Sequence, residues 1–347
     1  MKNNQFHTNF KINGTSFSSV EDLLEYSKTE SIATQQFLHE WFSDKKFVEV
    51  KTSGSTGKPK MIQLKKEFMK NSAKATGQFF KLFDNTTALL CMSTEYIAGK
   101  MMLVRALELG WHLDIVTPAS NPLKNIDKVY DFSAMVPMQL QHALNDIHTI
   151  KKLIVGGGVV SNELETAIQE ISTEVYATFG MTETITHIAV KKLNCFTEQS
   201  EKYYQTLPNV SISVDDRNCL VINASKVSDV AVKTKDVVEL ISDTEFKWLG
   251  RFDHVINSGG IKLHPEEIEK KLSQVISSRF FVAGIPDSIL GEKLVLIIEG
   301  KQRTVFLSAA KNLTKYEIPK HIYFVDQFIE TATKKIQRLK TLDLFSL

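Results

Sequence analysis

Cysteine is scarce. Cys91, Cys195 and Cys219 are the only three in 347 residues. An odd, widely spaced set fits neither a disulfide framework nor a zinc site, and it suits a reducing compartment. An excess of either charge is lacking too. Forty-two Lys and Arg face 40 Asp and Glu, a formal net charge of +2. Such a balance creates no strong field, so nucleic acid and anionic membrane are poor default partners. No apolar run approaches the roughly 18 residues of a membrane span. The opening MKNNQFHTNFKINGTSF has neither the apolar core nor the cleavage site of a secretory leader. These absences set the expectation of a cytoplasmic protein. With 8 Pro and 16 Gly the chain is not collagen-like, and 43% hydrophobic with 24% charged residues is ordinary for a globular protein. At about 150 residues per domain, the length allows two domains, or three.

Strand and helix patterns alternate in the first part. Phe47–Val50 reads as a strand, a polar loop follows, and Lys65–Phe83 has a helical period. Ala88–Met92, His112–Val116, Phe132–Val136, Lys152–Val155 and Glu174–Thr178 read as strands, with an apolar helix over Ala98–Leu109. Alternation of this kind predicts a mainly parallel sheet covered on both faces. From about Val210 the runs VSISVDD, CLVIN, VVELIS and FKWLG are short strands parted by turn residues, which predicts an antiparallel portion. After GRFDHVINSGG come a helix from Pro265 to about Val275, strands at Arg279–Ala283 and Leu294–Glu299, and a helix over Val305–Leu313. The expected fold is therefore α/β. Residues 1–251 form a large domain and residues 252–347 a small α+β domain.

The strongest local pattern is Thr52-Ser53-Gly54-Ser55-Thr56-Gly57-Lys58-Pro59-Lys60, between a strand and a helix. Glycines turn backbone amides toward an anion, hydroxyls add donors, and two lysines supply countercharge. The spacing is not that of a Walker loop, because Thr52 and Pro59 occupy positions that need Gly and Ser or Thr. A polar linker is the plain alternative. Phe179-Gly180-Met181-Thr182-Glu183 closes a strand with a hydroxyl and a carboxylate that suit phosphate-bound magnesium, or it is only a turn. Gly156-Gly157-Gly158 offers a flat backbone for a planar ring, or is a plain loop. Asp236 can accept from two ribose hydroxyls, or lie idle at the surface. Asp253 suits a hinge, and Gly259-Gly260 admits close approach of another molecule. Lys334, Lys335, Arg338 and Lys340 can be a solvated basic tail.

Taken in order, these pieces resemble the adenylate-forming superfamily of acyl-CoA synthetases, luciferases and peptide-synthetase adenylation domains. TSGSTGKPK matches that family's phosphate loop throughout, FGMTE its aromatic-Gly-x-Thr-Glu motif, and GRFDHVINSGGIKLHPEEIE its linker. TKD carries Lys235 where Gly is usual, and TATKKIQR carries Lys334 where Gly is usual. The resemblance implies that Thr52 to Lys60 hold the β and γ phosphates of ATP. It implies that Thr182 and Glu183 hold phosphate and Mg²⁺, and that Asp236 and Arg251 hold the ribose. Lys262 stands where Arg is common. Asp253 becomes the hinge of a mobile small domain, and Lys335 the catalytic lysine, with Lys334 as a rival. A much longer segment precedes the loop in most members.

Within the superfamily, the o-succinylbenzoate–CoA ligase branch of menaquinone synthesis is most similar. Tyr96-Ile97-Ala98-Gly99 stands where that branch has Phe-His-x-Ser-Gly, and Arg105 falls six residues after Gly99. A dicarboxylic acid brings a second anion, for which Arg105 is the first candidate partner and Lys100 the second. Arg105 can equally lie on the solvent face of its helix. The implied activity joins a small carboxylic acid to coenzyme A with ATP and Mg²⁺. Transfer to a carrier protein, another aryl or fatty acid, and a non-catalytic nucleotide binder remain alternatives.

Overall fold

The computed structural model describes residues 5–51, 61–196, 203–307, 310, 313–331 and 336–345. The first elements are two short strands, β1 (Lys11–Ile12) and β2 (Thr15–Ser16), and helices α1 (Val20–Tyr26) and α2 (Ile32–Phe42). Both helices begin at serines, Ser19 and Ser31, whose hydroxyls accept from the backbone N–H of Asp22 and Thr34. Each cap satisfies a donor that a helix start leaves unpaired. The strands β3 (Phe47–Lys51) and β4 (Met61–Lys65) pair as a separate antiparallel ribbon, and α3 (Lys66–Phe80) follows.

Next come β5 (Thr87–Leu90), α4 (Ile97–Leu109), β6 (His112–Ile115), β7 (Tyr130–Met135), α5 (Pro137–Ala143), β8 (Ile150–Val155), α6 (Asn162–Ala167) and β9 (Glu174–Gly180). In space the strands run β6-β5-β7-β8-β9, and every neighbouring pair is parallel. A strand covered on both faces buries every side chain, which is why these segments read as unbroken apolar runs. Ala88, Leu90, Ala134 and Ile154 enter one hydrophobic core, whereas Leu89, Met135, Leu153 and Val155 enter another. The pleat sends successive residues to opposite faces, so the two cores are the two sides of the sheet.

Past β9 the same sheet turns antiparallel. It adds β10 (His187–Lys192), β11 (Tyr204–Thr206), β12 (Ser211–Val214), β13 (Cys219–Asn223), β14 (Val232–Leu240) and β15 (Glu245–Arg251), in the spatial order β9-β10-β11-β15-β14-β13-β12. With β1 and β2 on the far edge, 13 strands form one sheet. The four short strands expected after Val210 are β12 to β15.

A second, five-stranded sheet is built from β16 (Ile256–Ser258), β17 (Ile261–Leu263), β18 (Phe280–Asp287), β19 (Gly291–Glu299) and β20 (His321–Val325). Helix α7 (Pro265–Leu272) precedes β18, and α8 (Arg338–Leu342) ends the described chain. Pro265 opens α7, Glu266 and Glu267 sit in its first turn, and Lys270 and Lys271 in its last. All five favour a helix there by φ and by the macrodipole. The helix expected over Val305–Leu313 does not begin at Val305. Val305 and Phe306 are irregular, and four residues of the stretch lie outside those described. Val305, Leu307 and Leu313 pack on the small core without a helical start.

Candidate nucleotide and acyl site

Parallel neighbours in register end together, so the C-terminal ends of β7, β8 and β9 share one sheet edge. Ligands of open α/β sheets gather at that edge. Gly156 and Gly157 leave β8 there. A Cβ on Gly156 would lie 2.3 Å from Thr178 Oγ1 on β9, and Gly157 has a φ of +78°. Gly156 is therefore required for close packing of β8 against Thr178, and Gly157 for its left-handed backbone. Gly180 closes β9 against the start of β10, where a Cβ would lie 2.3 Å from the Thr186 carbonyl oxygen. Phe179 packs edge-on against Phe246, and Met181 packs on the main core. Thr182 and Glu183 follow in a single helical turn. Glu183 is exposed. One carboxylate and one hydroxyl suit magnesium that arrives on a phosphate with most of its waters, rather than a protein cage. Among the described residues, no group of three or more His, Cys, Asp or Glu is placed to hold a metal.

Asp236 and Arg251 face each other across the β14–β15 ladder. Asp236 is 7% exposed, and one carboxylate oxygen accepts from Trp248 Nε1 at 3.0 Å. Burial raises its carboxyl above the ordinary range, opposed by that hydrogen bond and by the Arg251 charge. Arg251 lies 3.2 Å from Asp253, and Lys235 lies 3.3 Å from it. Burial works against the charge of Asp253, but these cations hold its carboxyl below the ordinary range. The lysine that replaces the usual Gly thus reaches the residue expected to be the hinge.

The Gly259-Gly260 pair turns the β16–β17 hairpin with φ of +59° and +81°, and among the described residues none beyond its chain neighbours comes within 4 Å of a Cβ on Gly260. Lys262 is exposed on β17. The loop Thr52 to Lys60 and the pair Lys334 and Lys335 lie outside the described residues.

Helix α4 is apolar almost all round, because it packs on α3 and covers the sheet. Tyr96 is its N-cap and is 56% exposed. Gly99 lets the preceding loop cross the helix, since a Cβ there would meet the Ser93 carbonyl oxygen at 2.3 Å. Lys100 is 8% exposed, with its ammonium 4.8 Å from the centre of the Phe37 ring. Burial lowers its pKa, and Glu40 and Glu95 oppose that.

Arg105 is 2% exposed, so the solvent-face alternative fails. Its Nε donates to Thr76 Oγ1 at 3.4 Å, and its buried Nη2 has no partner among the described residues. Burial lowers the guanidinium to about 10. Beside it stands His187, 5% exposed, whose Nε2 lies 3.5 Å from the same Thr76 hydroxyl. Burial, and then the charge of Arg105, push His187 well below its ordinary value, so the ring is neutral. The sequence reading missed His187 and Trp248. A lone His opening the apolar run HIAV was the only signal for the first.

A parallel sheet with glycine-rich turns at its C-terminal edge, a buried Asp236 bonded to Trp248 and facing Arg251, and a small second sheet are features that suit a nucleotide-dependent enzyme of the α/β class. The AMP-binding enzyme profile matches residues 50–233, just over half of the chain. The chain belongs to the AMP-binding enzyme family, and by class it is an AMP-forming acid–thiol ligase. It is 37% identical to the acyl-CoA synthetase (AMP-forming)/AMP-acid ligase II-like protein of Dyadobacter fermentans DSM 18053, with a TM-score of 0.62 over 91% of this chain and 97% of that one. It resembles o-succinylbenzoate coenzyme A synthetase from Bacillus subtilis in complex with ATP and magnesium ion, at 18% identity and a TM-score of 0.74, over 93% of this chain and 82% of that one. Among curated proteins it is 24% identical to the 2-succinylbenzoate--CoA ligase of Lactococcus lactis subsp. lactis (strain IL1403), over 91% of this chain and 77% of the relative. It is 28% identical to the enzyme of that name from Staphylococcus aureus (strain Newman), over 83% of this chain and 65% of the relative. No described helix is long and apolar enough to cross a membrane.

Proposed function

We propose that the chain joins o-succinylbenzoate to coenzyme A in two steps. In the first, a carboxylate of the acid attacks the α-phosphorus of ATP, forming an acyl-adenylate and releasing pyrophosphate. In the second, the thiol of coenzyme A attacks the acyl carbon and AMP leaves. The observation that carries the choice of acid is Arg105. A buried guanidinium with a free Nη2 and a neutral imidazole beside it is a costly arrangement unless an anion completes it. The second carboxylate of o-succinylbenzoate is such an anion, and the fork of Arg suits it. The names of the curated relatives support the same acid.

In this reading Gly156 and Gly157 receive the adenine, and Asp236 with Arg251 receives the ribose. The loop Thr52 to Lys60 grips the β and γ phosphates. Thr182 and Glu183 would hold magnesium, which when bound neutralises phosphate charge. Lys335 stabilises charge as the α-phosphorus is attacked. Rotation about Asp253 then withdraws Lys335 and brings the Gly259-Gly260 turn to the site, where the missing side chains leave room for the thiol arm. Pyrophosphate release is to be measured with a panel of acids headed by o-succinylbenzoate, then thioester formation with coenzyme A. Release with other acids alone overturns the substrate. Release without thioester overturns the acceptor.

A further inference from the structure

Asn162 takes no part in that mechanism, yet it spends its side chain on a distant helix. It follows the loop that leaves β8 at residues 156–158, and it begins α6. The start of α6 does not need that side chain. Ser161 is the N-cap, and its hydroxyl accepts from the Leu164 backbone N–H at 3.2 Å. Asn162 Nδ2 reaches outward instead. It donates to the Lys270 carbonyl at 2.8 Å and to Ser273 Oγ, while Ser273 Oγ donates to the same carbonyl at 2.9 Å. Lys270 lies in the last turn of α7, and Ser273 is its C-cap. Carbonyls at a helix end have no partner inside the helix. Here an amide 108 residues earlier in the chain supplies one.

The contact joins the two sheets. Helix α6 covers the parallel strands, with Leu164 in the second of their cores. Helix α7 belongs to the five-stranded sheet, where Ile268 and Leu272 pack with Leu294 and Leu296. Ion pairs cross the same junction: Lys247 on β15 lies 3.0 Å from Glu267, and Glu165 on α6 lies 3.7 Å from Lys270. Lys191 on β10 is half-buried beside them. Burial, and then the charge of Lys270, lower its pKa, with Glu165 opposing. Half-exposed ion pairs are weak and tolerate many geometries. A hydrogen bond from an amide to a helix-end carbonyl is directional, because donor and acceptor must align.

We propose that Asn162 is a positioning residue: from the end of the loop given to adenine, it caps α7 across the junction and holds the five-stranded unit in one of its two working orientations. The proposal rests on the two-step reading above. An asparagine serving only its own helix would cap α6, whereas this one bonds the far end of α7.

The test is Asn162→Asp. A carboxylate at the first position of α6 suits that helix, but it cannot donate and it faces the negative end of α7. The melting temperature should therefore move little. One half-reaction, either pyrophosphate release or thioester formation from supplied acyl-adenylate, should fall about fivefold or more, and the other by less than about twofold. Equal loss in both, or loss in neither, overturns the proposal. A readout without catalysis is carbodiimide coupling of ion pairs, followed by mass spectrometry. Yields of the Lys247–Glu267 and Lys270–Glu165 links should drop about threefold or more in Asn162→Asp, as a loosened junction opens locally. The link between Lys271 and Glu317, a pair 2.6 Å apart that does not cross the junction, should hold steady. Undiminished junction links, or an equal fall in all three, overturn the cap. If no acid supports pyrophosphate release in the parent, the two-step reading fails. The coupling yields then decide the cap alone.

Discussion

Replacing Arg105 by Met should make the protein more stable and a worse enzyme for a dicarboxylate. The guanidinium is held at about 10 against an ordinary 12.5. A shift of that size is equivalent to about 3 kcal/mol of unfavourable burial of the charged form. The substitution also discards one long hydrogen bond, 3.4 Å to Thr76, a loss of about 1 kcal/mol. The net expectation is a gain of about 2 kcal/mol, in line with replacing buried ions by apolar side chains of like volume. For a chain of this size that raises the melting temperature by roughly 3 °C. Arginine stays protonated in folded and unfolded states below about pH 9, so the gain should be flat across ordinary pH. In the enzyme, loss of the partner for the second carboxylate should lower kcat/KM for o-succinylbenzoate by about 2–4 kcal/mol in transition-state terms. A monocarboxylic aryl acid should be used no worse than by the parent. Scanning calorimetry and kcat/KM for both acids decide the matter. A destabilised Arg105→Met protein, or equal loss with both acids, would refute the argument and make Arg105 a structural tie.

Lys335→Ala should slow pyrophosphate release by on the order of 10²-fold and leave thioester formation from supplied acyl-adenylate nearly normal; damage from Lys334→Ala instead moves the role by one residue. Gly156→Ala should disrupt the sheet edge through the 2.3 Å approach to Thr178 Oγ1, while the Thr178 Cβ stands clear at 3.7 Å. Adding Thr178→Ala should therefore restore most of the lost stability in thermal melts, and simple addition of the two losses contradicts the steric reading. Glu269 is pushed up to about 7, chiefly by burial, with Arg338 and the Val282 N–H opposing and Glu266 adding to the rise. A carboxyl raised in the fold is stabilising below its unfolded value and loses that as pH rises through the folded one. Stability should thus decline by up to about 3 kcal/mol between pH near 5 and pH near 7. Urea midpoints of Glu269→Gln should lack this slope; an identical slope in both proteins places the titration elsewhere. Asp253→Pro should trap one orientation of the small domain, so that one half-reaction survives and the other fails; an enzyme with both steps intact takes the rotation out of the mechanism.

Local chemistry was legible in the sequence wherever a residue acts through its own backbone. The apolar runs fixed β5 to β9 as doubly covered strands, because a strand buried on both faces has no polar side to show. Pro265 and the charges around it marked the start of α7, and FGMTE marked a strand ending in a tight turn. Gly259-Gly260 was read only as a place of close approach, and the hairpin turn with positive φ at both glycines emerged from the structure. Pairings across long stretches of chain were not legible. The face that Arg105 presents is decided by what lies on either side of α4. That helix is buried nearly all round, so its own periodicity cannot separate a core position from a solvent one. Asp236 gains its Trp248 partner through the antiparallel register of β14 and β15, which the hydrophobic pattern of neither strand specifies. Glu269 and Arg338, 69 residues apart, meet only because α8 folds back onto α7. A basic tail and an anchored arginine have the same composition, and burial against one carboxylate is what makes them differ.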